Sequence, residues 1–288
     1  MKKILILFSA LFLTLFQTAQ AISFEKIIDK TSLFKQEFQI KRLFATQIKC
    51  ANNENFEKFI STFDENYLNS DGFNLSTYSE LVKEIWKTYD NVKYKITINK
   101  IEIDNDKAVV KANEHAYAEI PFSKKYQGEL KSETECVYYL KKINGKWKVS
   151  SDEILDETTS ILYGEAKDLE IKLTVPNNIE PNFEYTASLE FNPQRDRFAI
   201  ASIAADKVEY PQTPPKEVFR TMPEDNILER LFISNDENAN EYVVATIGLT
   251  KTTIEDLSIN LSFTGFGYVV KRVNVIEKQE KENNEQAE

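Results

Sequence analysis

The chain has 288 residues, a formal net charge of −10, two cysteines and one histidine. That balance argues against nucleic-acid binding, which needs clustered Lys and Arg, and a single histidine excludes a zinc triad. The 42% apolar fraction is enough to bury cores, and the length fits two domains.

Residues 1–21 read as a secretory signal peptide. Lys2 and Lys3 give a basic start, Ile4 to Phe16 is an apolar run, and Ala19-Gln20-Ala21 is a small-x-small cleavage site. The run is shorter than the ~20 residues a membrane span takes. Cleavage after Ala21 therefore predicts a periplasmic or secreted protein with no membrane insertion afterwards.

Residues 24–50 follow as a helix with Ile27, Phe34, Phe38 and Ile48 near one stripe. Asn52-Asn53 breaks it. A short helix over 55–63 turns Phe56, Phe59, Ile60 and Phe63 inward. After a turn at Asn69-Ser70-Asp71-Gly72, Ser76 or Thr77 caps a third helix with Leu81, Val82, Ile85 and Trp86 on its apolar side. The period then changes to two. Strands are expected over 92–103, 108–120, 128–142 and 146–151, with hairpin turns at Asp104-Asn105-Asp106 and Asn144-Gly145. Helices followed by a strand meander indicate an α+β class. Residues 152–166 read as a connector. Seven further strands are expected over 169–175, 185–191, 198–208, 231–234, 242–249, 257–263 and 268–276, which suggests an immunoglobulin-like sandwich. The polar end, 278–288, reads as a disordered tail. The expected domains are thus 22–163 and 164–277.

The order of elements over 24–155 resembles the nuclear-transport-factor-2-like superfamily, which includes ketosteroid isomerases and polyketide cyclases. The matching pieces are the long first helix, Asn53-Glu54-Asn55-Phe56 opening the short helix with Tyr67-Leu68 after it, the hairpin from Ile101-Glu102-Ile103 to Ala108-Val109-Val110, and Asn144-Gly145-Lys146-Trp147-Lys148-Val149. The resemblance implies a cone-shaped domain in which helices and a curved antiparallel sheet enclose a pocket. It brings no catalytic residue, because no catalytic motif of the superfamily is matched. The second domain resembles only the sandwich class.

Candidate chemistry starts on strand 108–120. One face carries Ala108, Val110, Ala112, Glu114, Ala116, Ala118 and Ile120; the other carries Val109, Lys111, Asn113, His115, Tyr117 and Glu119. A lone Glu114 among alanines is either a general base or acid of raised pKa, or a structural carboxylate held in an ion pair. Arg42, the first arginine of the chain, is the expected partner from the first helix. His115 falls on the solvent face, which disfavours a Ser-His-Asp enzyme. Tyr138 and Trp147 are pocket-lining candidates, with Tyr139, Tyr67 and Tyr78 as further aromatics. Cys50 and Cys136 form either a disulfide, which export permits, or two buried thiols. The oxygen-rich stretch 235–241 lacks EF-hand spacing and reads as a solvated turn. No metal or cofactor is expected, since P-loop, Gly-x-Gly-x-x-Gly and Gly-x-Ser-x-Gly motifs are absent.

The expected object is an exported two-domain binding or assembly module without catalytic turnover. Its partner is a protein or a small apolar ligand, with homodimerisation through the N-terminal sheet as one mode of assembly. The alternative is an isomerase- or cyclase-type enzyme using Glu114 as general base.

Overall fold

The structure is a computed structural model and describes residues 31–89, 91–121, 127–193, 196–213, 215–255 and 258–277. The expected leader, the expected tail and Ile27 lie outside them.

Helix α1 spans 31–51, and its buried stripe runs through Ile40, Phe44, Gln47, Cys50 and Ala51. The stripe expected through Phe34 and Phe38 is instead the outer face, with exposures of 71% and 60%. Continuing those two positions by helical steps lands on Lys41, Arg42 and Ala45, all exposed. At its end, Asn52 clamps α1 to the sheet: its side chain donates to the Tyr94 carbonyl and accepts from the Tyr94 amide, at 3.0 and 2.8 Å. Helix α2 (Phe56–Ile60) is capped by Asn55, and α3 (Leu75–Thr88) by Asn74, earlier than the sequence expectation of Ser76 or Thr77. The Asn69 side chain folds the turn before α3 by accepting from the Asp71 and Phe73 amides.

Four long antiparallel strands follow as a meander: β1 (Lys93–Asp104), β2 (Lys107–Pro121), β3 (Gln127–Ile143) and β4 (Lys146–Gly164). The β3–β4 turn has positive φ at both Asn144 (51°) and Gly145 (74°), as a two-residue type I′ hairpin requires. The connector expected at 152–166 is strand as far as Gly164, followed by a 3-10 turn, Glu165–Asp168. Its polar side chains have partners rather than solvent. Tyr242 donates to Glu157 at 3.0 Å, Lys271 to Asp156 at 3.2 Å, and Thr159 to Ser132 at 2.8 Å.

The second half is two-layered. One layer is the three-stranded sheet β10-β7-β5, from β5 (Lys172–Thr174), β7 (Glu184–Glu190) and β10 (Ile227–Ile233). The other contains β8 (Arg197–Lys207), β9 (Arg220–Thr221), β11 (Glu241–Glu255) and β12 (Ser258–Val275), in the order β12-β11-β8-β9. A two-residue strand, β6 (Asn178–Ile179), pairs in parallel with the end of β12. The strands expected at 257–263 and 268–276 are one strand. Gly265 and Gly267, which look like a break, allow β12 to approach β4 closely: Gly265 pairs with Gly164, and Gly267 with Leu162. The alternating residues Val243, Ala245, Ile247 and Leu249 of β11 meet Ala187 and Leu189 of β7 in the core between the layers.

The β4–β12 pairing joins both halves in one continuous sheet of order β1-β2-β3-β4-β12-β11-β8-β9. Two main cores nevertheless remain distinct. One lies between the helices and β1–β4, the other between the layers of the second half.

Candidate functional site

The helices do not fully fill the concave face of β1–β3. A cavity of about 210 Å³ remains beneath them. Phe44 and Ala51 of α1, Phe59 of α2, and Val82 and Trp86 of α3 wall one side. Tyr94 and Ile96 of β1, Glu114 of β2, and Thr134 and Tyr138 of β3 form the other. These strand residues share a face because Ile96, Glu114 and Thr134 are direct cross-strand partners.

Glu114 is the carboxylate of this cavity. Tyr138 donates to its Oε1 at 2.5 Å, and the Tyr138 ring meets Phe44 edge-on with centroids 5.0 Å apart. Burial pushes the Glu114 carboxyl above its ordinary value; the Tyr138 bond opposes the shift and the nearby Asp152 charge adds to it. Burial and the Glu114 charge push the Tyr138 phenol well up, so that it stays a proton donor. Behind the cavity lies a second carboxyl–phenol pair. Tyr67 donates to Asp152 Oδ1, and burial lifts Asp152 to about 6 against the lowering effect of that bond. Tyr78 of α3 stands between the pairs. Burial raises its phenol first, then the charges of Asp152 and Glu114, and its ring lies 5.3 Å from that of Tyr67.

Sequence expectations for the site divide. Tyr138 and Glu114 meet in the cavity. Arg42 does not join them: it is exposed on the outer face of α1, and no salt bridge among the described residues involves it or Glu114. The reason is the rotated stripe of α1, which puts Gln47 rather than Arg42 on the inner face. Trp147 is buried in the core without lining the cavity, with Lys142 Nζ 5.6 Å from its ring centroid. Cys50 and Cys136 are both buried and both free, so the disulfide is not formed; they pack as small apolar side chains of the N-terminal core. His115 is exposed, its Nδ1 3.9 Å from Glu133. The 235–241 stretch closes on itself, with Glu241 accepting from the Asn235 amide and from Tyr185 at 2.7 and 2.8 Å. Among the described residues no group of His, Cys, Asp and Glu is arranged to hold a metal ion, and no helix is long and apolar enough to cross a membrane. Sequence reading missed Asp152, because its polar neighbours looked like a linker, and Tyr94, whose alternation with Ile96 on β1 was the available signal.

Residues 42–160 match the family model described as the C-terminal domain of the anti-sigma-I factor RsgI9. No curated protein matches the chain. Among solved structures, the chain is similar to Bd1075 from Bdellovibrio bacteriovorus, at 18% identity and a TM-score of 0.35, over 42% of this chain and 40% of that one. The chain thus spans well under half the length of that protein. A Nostoc punctiforme protein with a cystatin-like fold matches at 15% identity, TM-score 0.34, over 41% of this chain and 88% of that one. An NTF2-like protein with a cystatin-like fold from Novosphingobium aromaticivorans matches at 13% identity, TM-score 0.36, over 44% and 86%. The Nostoc and Novosphingobium proteins, which cover about two fifths of the chain, both have a cystatin-like fold, and the second is NTF2-like.

Proposed function

We propose that the chain is an exported two-domain binding module whose N-terminal half holds a compact, largely apolar molecule in the Glu114 cavity, without turnover. The observation that carries this reading is the cavity itself: an aromatic-walled space with one carboxylate and one phenol paired at its floor. A few placed polar groups in an apolar pocket are what a small-ligand site needs. Because Glu114 already accepts from Tyr138, it serves as an anchor for a ligand group. The strand order β5-β7-β10 against β8-β11-β12 supports an immunoglobulin-like reading of the second half, since it follows the A-B-E and C-F-G layers of that sandwich. The basic, apolar and Ala-Gln-Ala layout of residues 1–21 supports export, and N-terminal sequencing of the exported protein should begin at Ile22.

The binding reading is tested by calorimetric titration with 2-naphthol, which is compact, apolar and carries one hydroxyl. Saturable binding is expected, and Thr134→Phe, which puts a ring opposite Glu114, should abolish it. Undiminished binding in that variant places the ligand elsewhere.

A second reading, an isomerase- or cyclase-type enzyme, is favoured by the raised Glu114 carboxyl beside a phenol donor. Glu114 would take a proton from the carbon next to a carbonyl and return it further along. With 3-cyclohexen-1-one as substrate, growth of the conjugated-enone absorbance that Glu114→Gln eliminates supports this reading; a flat trace leaves binding alone.

A further inference from the structure

Among the described residues Glu114 has no counter-charge. Its described partner is neutral Tyr138, and Asp152 nearby is a second negative group rather than a compensating one. The positive side chain that partly offsets Asp152, Arg272, belongs to the junction between the halves. Lys95 and His115 border the cavity, but both are exposed and they pair with each other across β1 and β2, on the face opposite Tyr94, Ile96 and Glu114. Glu114 is half-buried, and a carboxylate drawn from water without a cation is costly, so it either keeps its proton or takes a counter-charge from what binds beside it.

The walls identify that something. The rings of Phe44, Phe59, Tyr78, Trp86, Tyr94 and Tyr138 surround the same space. Aromatic rings attract cations through their negative faces, most strongly when the cation is desolvated. An inorganic ion keeps its water or demands several oxygen ligands, which this wall does not offer. An alkylated ammonium needs neither, because its methyl groups suit the apolar wall while its charge suits the carboxylate. The chain's net charge of −10 also favours accumulation of cations near its surface.

We propose that the ligand of this cavity is a compact organic cation, an alkylated ammonium group held between the aromatic rings and the Glu114 carboxylate. This rests on the binding reading above and names the ligand class for it.

The test compares choline chloride with 3,3-dimethyl-1-butanol, its neutral isostere, by calorimetric titration of the full chain at matched ionic strength. Choline is expected to bind at least about tenfold more tightly, with the difference lost in Glu114→Gln, which keeps shape and removes charge. Thr134→Lys, directly across from Glu114, supplies an internal ammonium and should also abolish choline binding. Circular dichroism checks that each variant is folded, and the two changes alter the charge of the site at different positions, so a folding failure in one leaves the other decisive. Equal or tighter binding of the alcohol overturns the cation while leaving a binding cavity. Binding of neither compound to the wild-type chain, with 2-naphthol also inert, overturns the binding reading itself. Choline binding unchanged in both variants overturns the assignment to this cavity.

Discussion

Asp71, in the turn before α3, and Arg272, on β12, meet as a bidentate ion pair with both side chains buried, although 201 positions separate them in the chain. Asn240 donates to the same carboxylate at 2.7 Å, and Asn274 accepts from Arg272 Nε at 2.7 Å. Removing one member leaves the other charged and buried. Arg272→Met and Asp71→Asn should each destabilise by ~3–5 kcal/mol, and the double variant by clearly less than their sum. Urea unfolding of the four proteins measures this; additive losses would mean that the charges do not depend on each other.

Tyr138→Phe removes the donor that holds the Glu114 carboxyl down, so burial acts unopposed and the carboxyl should titrate higher still. Loss of the bond is expected to lower stability by ~1–3 kcal/mol. Carbon-detected NMR titration of the Glu114 carboxyl in the two proteins reads the shift; a downward shift contradicts the geometry.

Stability should peak in mildly acidic solution. Asp152 is lifted by burial from 3.8 to about 6, so the folded state holds its proton more tightly than the unfolded chain, and stability falls as pH rises from about 4 to about 6. Glu114 and Glu157, also raised by burial, act with the same sign. Glu165 is the opposite case. Hydrogen bonds from Arg197 hold it near 2, so its contribution is present above about 4.5 and lost as pH falls towards 2. Thermal unfolding across pH 3–8 should therefore show a maximum near pH 4, and Asp152→Asn should flatten the fall above it. An unaltered profile in that variant would remove Asp152 from the account.

Gly164 has φ +58°, and a Cβ there would press into the Thr264 carbonyl at the point where β4 meets β12. Gly164→Ala should destabilise by ~1–3 kcal/mol. Hydrogen exchange at the β12 amides from Gly265 to Lys271 should accelerate more than exchange in β1; a uniform change would mean that the strain is not local.

Both cysteines should resist iodoacetamide in the native protein and react together in guanidine without reductant, because both are buried and free. Burial also pushes the Cys136 thiol far above its ordinary value, which keeps it unreactive. Mass spectrometry that finds a disulfide in the unfolded, unreduced chain would contradict this.

Much of the first sheet was legible because its signals are local. Asn144-Gly145 sets a two-residue turn, and the alternation around Ala108 to Ala118 fixes which face is buried, so Glu114 is found without any tertiary knowledge. What stayed hidden depends on distant partners. Phe34 and Phe38 match the helical period as well as Ile40 and Phe44 do, and only the position of the sheet decides which stripe it covers. Asp152, Asp156 and Glu157 look like a solvated linker until Tyr67, Lys271 and Tyr242 are brought to them. The same long-range pairing explains why Arg272 carried no signal of its burial.

The splice between β4 and β12 makes each half the protective cover of the other. A fragment ending at Gly164 would leave residues 158–164 of β4 with a row of unanswered amides and carbonyls, since Gly265 to Lys271 supply their partners in the full chain. Such a bare strand is a template for joining further copies, and a fragment carrying it would be prone to stack strand upon strand. In the intact chain that template is occupied from within, so the second half shields the first from self-association.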